Sequence, residues 1–156
     1  MVDVPAGVDD GATLRLPGRG AGGLRGGPPG DLYVHLRVKP HPTFTRRGPE
    51  LLAVLHVAMT QAALGAAVPF ETLDGAEELE IPAGSQSGRE IRLRGRGVPN
   101  LGGRGRGDLV VTVVVDTPEG INKEQEELIR RLAELRGEEV AAPEGGLMSK
   151  LRGAFK

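Results

Sequence analysis

No cysteine occurs among the 156 residues, which excludes disulfides, thiolate metal sites and cysteine nucleophiles together. Aromatic residues are scarce, with three Phe, one Tyr and no Trp, so any core must be aliphatic. The net charge is only −1, which removes a broad electrostatic pull toward nucleic acid or acidic membranes. No stretch approaches the roughly 18 consecutive apolar residues that a membrane-spanning helix requires. The opening segment, Met1 to Pro5, has no basic region followed by an apolar run, so it does not read as a secretory signal, and the cytoplasm is the expected location. What the chain has in excess is Gly (25) and Pro (12), placed at turn positions between apolar-patterned segments.

The second feature present is a repeat. The stretch from Val4 to Gly20 returns as Ile81 to Gly97, 77 residues later and without a gap. Pro5-Ala6-Gly7 matches Pro82-Ala83-Gly84, and Gly18-Arg19-Gly20 matches Gly95-Arg96-Gly97. The same offset carries Leu24 onto Leu101, Gly26 onto Gly103 and Gly30-Asp31-Leu32 onto Gly107-Asp108-Leu109. This period exceeds the roughly 20–50 residues of solenoid repeats and reads as a duplicated small domain. The first copy opens already inside the repeat, so its upstream part is expected to be missing.

Strand signals dominate both copies. Leu32, Val34, Leu36 and Val38 alternate with Tyr33, His35, Arg37 and Lys39, the period of a half-buried strand. In the second copy Leu109, Val111, Val113 and Val115 lie on one face, and Val110, Thr112 and Val114 make the other apolar enough to be covered as well. Leu14 and Leu16, like Ile91 and Leu93, mark short strands before glycine loops, and residues 51–57 form a further strand-length apolar run. Asp74-Gly75 predicts a two-residue hairpin turn joining arms at 68–73 and 76–81. Residues 60–65 read as one helical turn, capped by Thr60 and ended by a left-handed Gly65.

A longer helix follows the second copy. Asn122 and Gln125 have capping-box spacing, Leu128, Leu132 and Leu135 form one stripe, and Gly137 stops the helix. Glu126–Arg130 and Glu127–Arg131 have the spacing of supporting ion pairs. Residues 138–146 read as a linker. Leu147, Leu151 and Phe155 form a short amphipathic tail, too short to stand as a helix alone.

Six motifs in order carry a family resemblance: His41 to Gly48, Thr60 to Gly65, Thr72 to Gly75, Ile81 to Gly88, Leu93 to Pro99 and Gly107-Asp108-Leu109. Across nearly the whole chain the sequence resembles the C-terminal part of the bacterial DnaJ family of J-domain co-chaperones. The resemblance implies a mainly β fold: tandem β-sandwich domains, the first partial (1–40) and the second complete (41–120), then a dimerisation helix (121–137), a linker and an amphipathic tail (138–156). It also implies a homodimer held by Leu128, Leu132, Leu135, Leu147, Leu151 and Phe155, and a peptide groove lined by Phe44 with Leu14 and Leu16. Two departures bear on function. The only His-Pro is His41-Pro42, followed by Thr43 and not by the Asp of the family's ATPase-stimulating motif, and the Cys-x-x-Cys repeats of its zinc module do not occur.

The expected function is therefore the holding of unfolded or misfolded polypeptide as part of a DnaJ-type co-chaperone. No covalent chemistry, cofactor or metal is expected, and a DnaK-type chaperone is only an indirect partner. His35, His41 and His56 have no Ser, carboxylate or His at a motif spacing and read as structural or solvated. Gly95-Arg96-Gly97 and the segment Gly102 to Gly107 resemble Arg-Gly nucleic-acid segments, but no aromatic is interleaved to stack bases and no Lys-Ser/Thr follows as in a phosphate loop. Two alternatives stay open: an assembly module that holds no client, and weak RNA or anion binding through these loops.

Overall fold

The computed structural model describes residues 2–23 and 27–140. Leu24 and Gly26 of the repeat, and Leu147, Leu151 and Phe155 of the tail, lie outside the described residues. The chain divides into two compact units, residues 1–117 and 118–156.

The first unit is built of strands. β1 (Thr13–Leu16) and β2 (Leu32–His35) form an antiparallel pair. A four-stranded sheet follows, in the order β3 (Thr45–Arg47), β4 (Glu50–Ala58), β8 (Leu109–Asp116), β7 (Glu90–Leu93). A hairpin of β5 (Ala66–Thr72) and β6 (Gly75–Ile81) makes a third sheet, reached from β4 through the short helix α1 (Met59–Leu64). Within the four-stranded sheet β4 and β8 run parallel, while β3 and β7 pair antiparallel with them.

Period-2 patterning sets the core. Leu51, Ala53, Leu55 and Val57 of β4 stand opposite Leu109, Val111, Val113 and Val115 of β8 and share one face. Phe70, Leu79 and Ile81 of the hairpin pack in the same buried cluster, with Phe44, Ala62 and Val98. Leu109, Val111 and Val113 have no exposed surface left. The opposite face of β8 is only partly covered: Val110 is buried, while Thr112 and Val114 are half-buried.

The repeat in sequence is a repeat in shape. β1 pairs β2 with Leu14 opposite Val34 and Leu16 opposite Leu32, and 77 residues on Ile91 stands opposite Val111 and Leu93 opposite Leu109. The flanking bonds coincide as well. Gly11 N–H donates to Leu36 C=O at 3.0 Å, as Gly88 N–H does to Val113 C=O at 2.8 Å. Gly20 N–H reaches Gly30 C=O at 2.7 Å, as Gly97 N–H reaches Gly107 C=O at 2.7 Å. Gly18 and Gly95 turn at φ of 67° and 69°, a left-handed conformation that glycine adopts without a Cβ clash.

Two local expectations need correction. The hairpin pairs Thr72 with Gly75, so Leu73 and Asp74 are the loop residues, not Asp74 and Gly75. Thr72 fixes this choice: its hydroxyl donates to Gly75 C=O at 2.7 Å and accepts from Asp74 N–H at 3.1 Å. Helix α1 begins before Thr60, and Gln61 supplies the cap, its Oε1 accepting Ala58 N–H at 3.0 Å. Gly65 ends α1 at φ 86° and ψ 149°, which is positive-φ but extended and not the left-handed helical geometry.

The second unit contains α2 (Lys123–Arg136). Its capping box is formed: Asn122 Oδ1 accepts Gln125 N–H and Gln125 Oε1 accepts Asn122 N–H, each at 2.9 Å. Gly137 closes the helix in the left-handed region. Glu126 and Arg130 pair at 2.7 Å, but Arg131 turns to Glu134 at 3.0 Å instead of Glu127.

Candidate functional site

The β1–β2 pair presents the surface with the clearest chemical character. Residues directly opposite across an antiparallel pair lie on the same side. Leu14, Leu16, Leu32 and Val34 therefore share one face, and Leu36 and Val38 continue their alternation. Their repeat counterparts are Leu109, Val111 and Val113 of β8, fully buried in the core, and Ile91, Leu93 and Val115, half-buried and packed against it. In the first repeat the same face is open: Leu32 keeps 41% and Val38 44% of its surface, while Leu14, Leu16, Val34 and Leu36 are half-buried. The other face is polar, with Thr13, Arg15, Tyr33 and His35. Thr13 Oγ1 and His35 Nδ1 hydrogen-bond at 2.8 Å across it.

A cleft of about 490 Å³ lies where the first repeat runs into β3, bordered by Asp9, Asp10, Val38, His41, Phe44 and Arg46 among others. Arg46 fastens its wall, because its guanidinium donates to Val8 C=O at 2.6 Å, Gly7 C=O at 2.9 Å and the Asp9 carboxylate. His41 Nδ1 accepts the Thr43 and Phe44 N–H groups at 3.1 and 3.3 Å, and its ring stacks on Phe44 with centroids 4.8 Å apart. Phe44 meets Phe70 edge-on at 6.3 Å and keeps only 8% of its surface. It borders the cleft from inside the core. Leu14 and Leu16 do not border the cleft, and Val38 is the residue of their face that does.

The remaining sequence candidates fall elsewhere. His56 Nδ1 lies 2.9 Å from the Asp116 carboxylate on an exposed surface. Among the described residues no three His, Asp or Glu side chains gather as a metal site, and no helix is long and apolar enough to cross a membrane. The Arg-Gly loops are tied to the hairpin turn. Arg106 donates to both Asp74 carboxylate oxygens at 2.8 and 2.9 Å, and Arg96 pairs with Asp74 and Glu77. The Arg106 hydrogen bond holds the Asp74 carboxyl below its ordinary range, against a smaller opposing effect of burial. In the second unit Leu128, Leu132 and Leu135 all lie on the exposed surface of α2, at 66%, 51% and 71%.

Sequence reasoning named Leu14 and Leu16 but not Leu32, Leu36 or Val38 as a surface. The signal was available: Leu32, Leu36 and Val38 recur as Leu109, Val113 and Val115 of the second copy, 77 residues on. For Arg46 and Asp74 no spacing gave a signal, since their partners are 22 to 39 residues away in sequence.

Comparison with known proteins agrees with this geometry. Residues 1–118 match the family described as DnaJ C terminal domain, and residues 124–156 match the one described as Chaperone protein DnaJ C-terminal region. The chain is 52% identical to Chaperone protein DnaJ 2 of Streptomyces avermitilis, over 99% of this chain and 42% of that protein. It is 46% identical to Chaperone protein DnaJ of Ruminiclostridium cellulolyticum, over 99% of this chain and 41% of the relative. It is 49% identical to Chaperone protein DnaJ of Natronomonas pharaonis, over 99% and 40%. The chain thus spans about two fifths of the length of the curated relatives it matches. With a family match over residues 1–118 of its 156, the chain belongs to the DnaJ C-terminal domain family.

Proposed function

We propose that the chain holds non-native polypeptide as the client-binding, self-associating part of a DnaJ-type co-chaperone, without covalent chemistry. One observation carries the reading. The β2 part of this face is open, with Leu32 at 41% and Val38 at 44%, whereas its counterparts Leu109, Val111 and Val113 77 residues later are fully buried core. An exposed aliphatic face gains free energy by covering an apolar segment of a client, about 25 cal/mol for each Å² removed from water. On this reading residues 1–40 belong to a first β-domain and 41–120 to a second, and 121–137 are the helix through which two copies pair. Pairing places two holding faces on one particle and raises avidity through effective concentration. Phe44 acts as the floor beneath the His41 side of the cleft, with Leu14 and Leu16 on the open β1–β2 face. A DnaK-type chaperone is a partner only through segments other than these residues, and the chain by itself leaves such an ATPase unstimulated.

The test is aggregation of a heat-unfolded reporter enzyme followed by light scattering. The chain should suppress it in proportion to its concentration, and Leu14→Glu/Leu32→Glu should lose most of the protection while keeping the wild-type circular dichroism spectrum. Absence of protection by the wild-type chain, with self-association intact, supports the assembly-module reading instead. The RNA reading has less to stand on, because Arg96 and Arg106 are already engaged by Asp74 and Glu77.

A further inference from the structure

The β1–β2 pair and the four-stranded sheet are separate sheets joined by residues 36–44. Three contacts hold that junction. Arg46 stands on β3, the edge strand of the four-stranded sheet, but its guanidinium serves the turn before β1. Nη1 donates to Val8 C=O at 2.6 Å, and Nη2 donates to Gly7 C=O at 2.9 Å and to the Asp9 carboxylate. Nε donates to Gly48 C=O at 2.9 Å, which ties the side chain to the turn after its own strand. All three guanidinium nitrogens are thus engaged. The second contact is steric. A Cβ on Gly7 would stand 2.1 Å from Pro99 O, so the turn lies directly on the loop that follows β7. The joining segment itself supplies the third. Asp10 Oδ1 accepts Val38 N–H at 2.8 Å near its start, His41 Nδ1 accepts Phe44 N–H at 3.3 Å at its end, and Pro40 and Pro42 restrict φ between them.

One repeat later the same turn is held in another way. Gly84 N–H donates to Ala63 C=O at 3.2 Å and Ser85 N–H to Ala62 C=O at 3.0 Å, both within α1. Gly7 and Gly84 share a positive φ, 91° and 77°. Among the described residues nothing lies within 4 Å of a Cβ built on Gly84, so the close approach belongs to the first copy.

We propose that Arg46 is a positioning residue that locks the β1–β2 pair at one angle to the four-stranded sheet. A guanidinium suits the task, because its rigid planar fork meets several acceptors in different directions at once. A lysine has one nitrogen at the end of a flexible stem and cannot span Val8, Gly7, Asp9 and Gly48 together. Hydrogen bonds from a charged donor are also roughly twice as strong as neutral ones. With the clamp closed, the two sheets move as one body. With it open, only the joining segment and the Gly7–Pro99 contact oppose a swing about residues 39–43. The lock goes beyond the client-holding reading and stands whether or not the β1–β2 face receives clients.

Because the chain has no Cys, spin labels can be attached at two introduced positions only. Tyr33→Cys on β2 and Glu90→Cys on β7 are exposed and take no part in the junction. Double electron–electron resonance on the full chain, diluted with unlabelled chain so that distances within one copy are read, should give a single narrow peak. Arg46→Met should at least roughly double the width of that peak, and Arg46→Lys should leave it broad. Gly7→Ala should broaden or displace it, since the added Cβ cannot fit against Pro99 O. Arg47→Met, a change to the exposed neighbour on the same strand, should leave the peak as in the wild type. Amide exchange at Val111 and Val113 should stay slow in every variant, which separates a loosened junction from an unfolded core. A wild-type peak as broad as that of Arg46→Met, an unchanged peak in Arg46→Met or full recovery in Arg46→Lys overturns the lock. So does broadening that appears only together with lost protection of those two amides.

Discussion

Arg92 donates to the Asp108 carboxylate at 3.1 Å, and 77 residues earlier Arg15 makes the same contact with Asp31 at 2.6 Å. In both copies the other carboxylate oxygen accepts a backbone N–H at the start of the glycine loop, from Gly95 at 2.9 Å and from Gly18 at 3.0 Å. One aspartate thus closes a loop of irregular backbone by satisfying a donor that has no strand partner. Arg92 has a second task that Arg15 lacks. It reaches Glu50 at 2.8 Å, bridging β7 to β4 above the buried Val110.

Acid should loosen this network in a defined window. Asp108 is held below the ordinary carboxylate range, first by the Gly95 N–H and then by Arg92. Glu50 is lowered by its hydrogen bonds to Arg47 and Arg92, and Asp74 by Arg106. A carboxyl with a lowered folded-state pKa stabilises the fold above its unfolded value, and that contribution is lost as pH falls through the folded value. The urea midpoint should therefore hold steady at neutral pH and fall from about pH 4 downward. Arg92→Met should lower the neutral midpoint and make the acid decline shallower. An unchanged acid slope in that variant would show that the network carries no linkage.

The two copies should respond unequally to the same truncation. Leu109 is fully buried, and its removal to Ala should cost about 2–5 kcal/mol through lost burial and the cavity left behind. Leu32, its repeat mate, keeps 41% of its surface, and Leu32→Ala should cost less than about 1 kcal/mol. Denaturant melts of the two variants check this directly, and equal costs would mean that the first copy is covered in solution.

The sequence carries these features to different depths. The repeat is legible because turn glycines and strand aliphatics recur at one offset, and both requirements are local. Helix α2 is legible to the residue at its start, because the Asn122–Gln125 box is a matter of spacing alone. The hairpin register was not. Period-2 alternation keeps Phe70 and Leu79 on the core face in either of two registers two residues apart, so the pattern does not choose between them. The choice falls to the Thr72 hydroxyl and to Asp74, whose partners Arg96 and Arg106 come from distant loops. Phe44 shows the same limit from another side: its position between two repeats carries no signal of the Phe70 edge contact and the His41 stacking that hold it at the cleft.

Glycine substitutions should separate steric from conformational demands. A Cβ on Gly97 would stand 2.5 Å from Gly107 C, 2.6 Å from Pro49 O and 2.7 Å from Asp108 O, all backbone atoms that cannot step aside singly. Gly97→Ala should cost several kcal/mol, above the roughly 1–3 kcal/mol of an overpacked core. Gly102 has φ of 67° but open space around its Cβ position, so Gly102→Ala carries only the left-handed penalty, about 1–2 kcal/mol. Thermal melts in which the two variants coincide would remove the steric argument.

The α2 stripe should behave as an association surface whose disruption leaves the protomer intact. Leu128, Leu132 and Leu135 are each more than half exposed, so changing them to Glu removes little packing within one chain. Burying a leucine is worth roughly 1.5–3 kcal/mol, whereas association costs about 4–15 kcal/mol in lost freedom. Three leucines per copy therefore support a dimer that dissociates on dilution, not a permanent one. Sedimentation velocity across a concentration series should show the wild-type chain shifting from monomer to dimer, and Leu128→Glu/Leu132→Glu remaining monomeric with unchanged helical ellipticity. Asn122→Ala provides the complementary arm. It removes the acceptor for Gln125 N–H, should cost about 1 kcal/mol of helix stability, and should weaken dimerisation only in step with lost helicity. A wild-type chain that stays monomeric at the highest concentration would refute pairing through this helix.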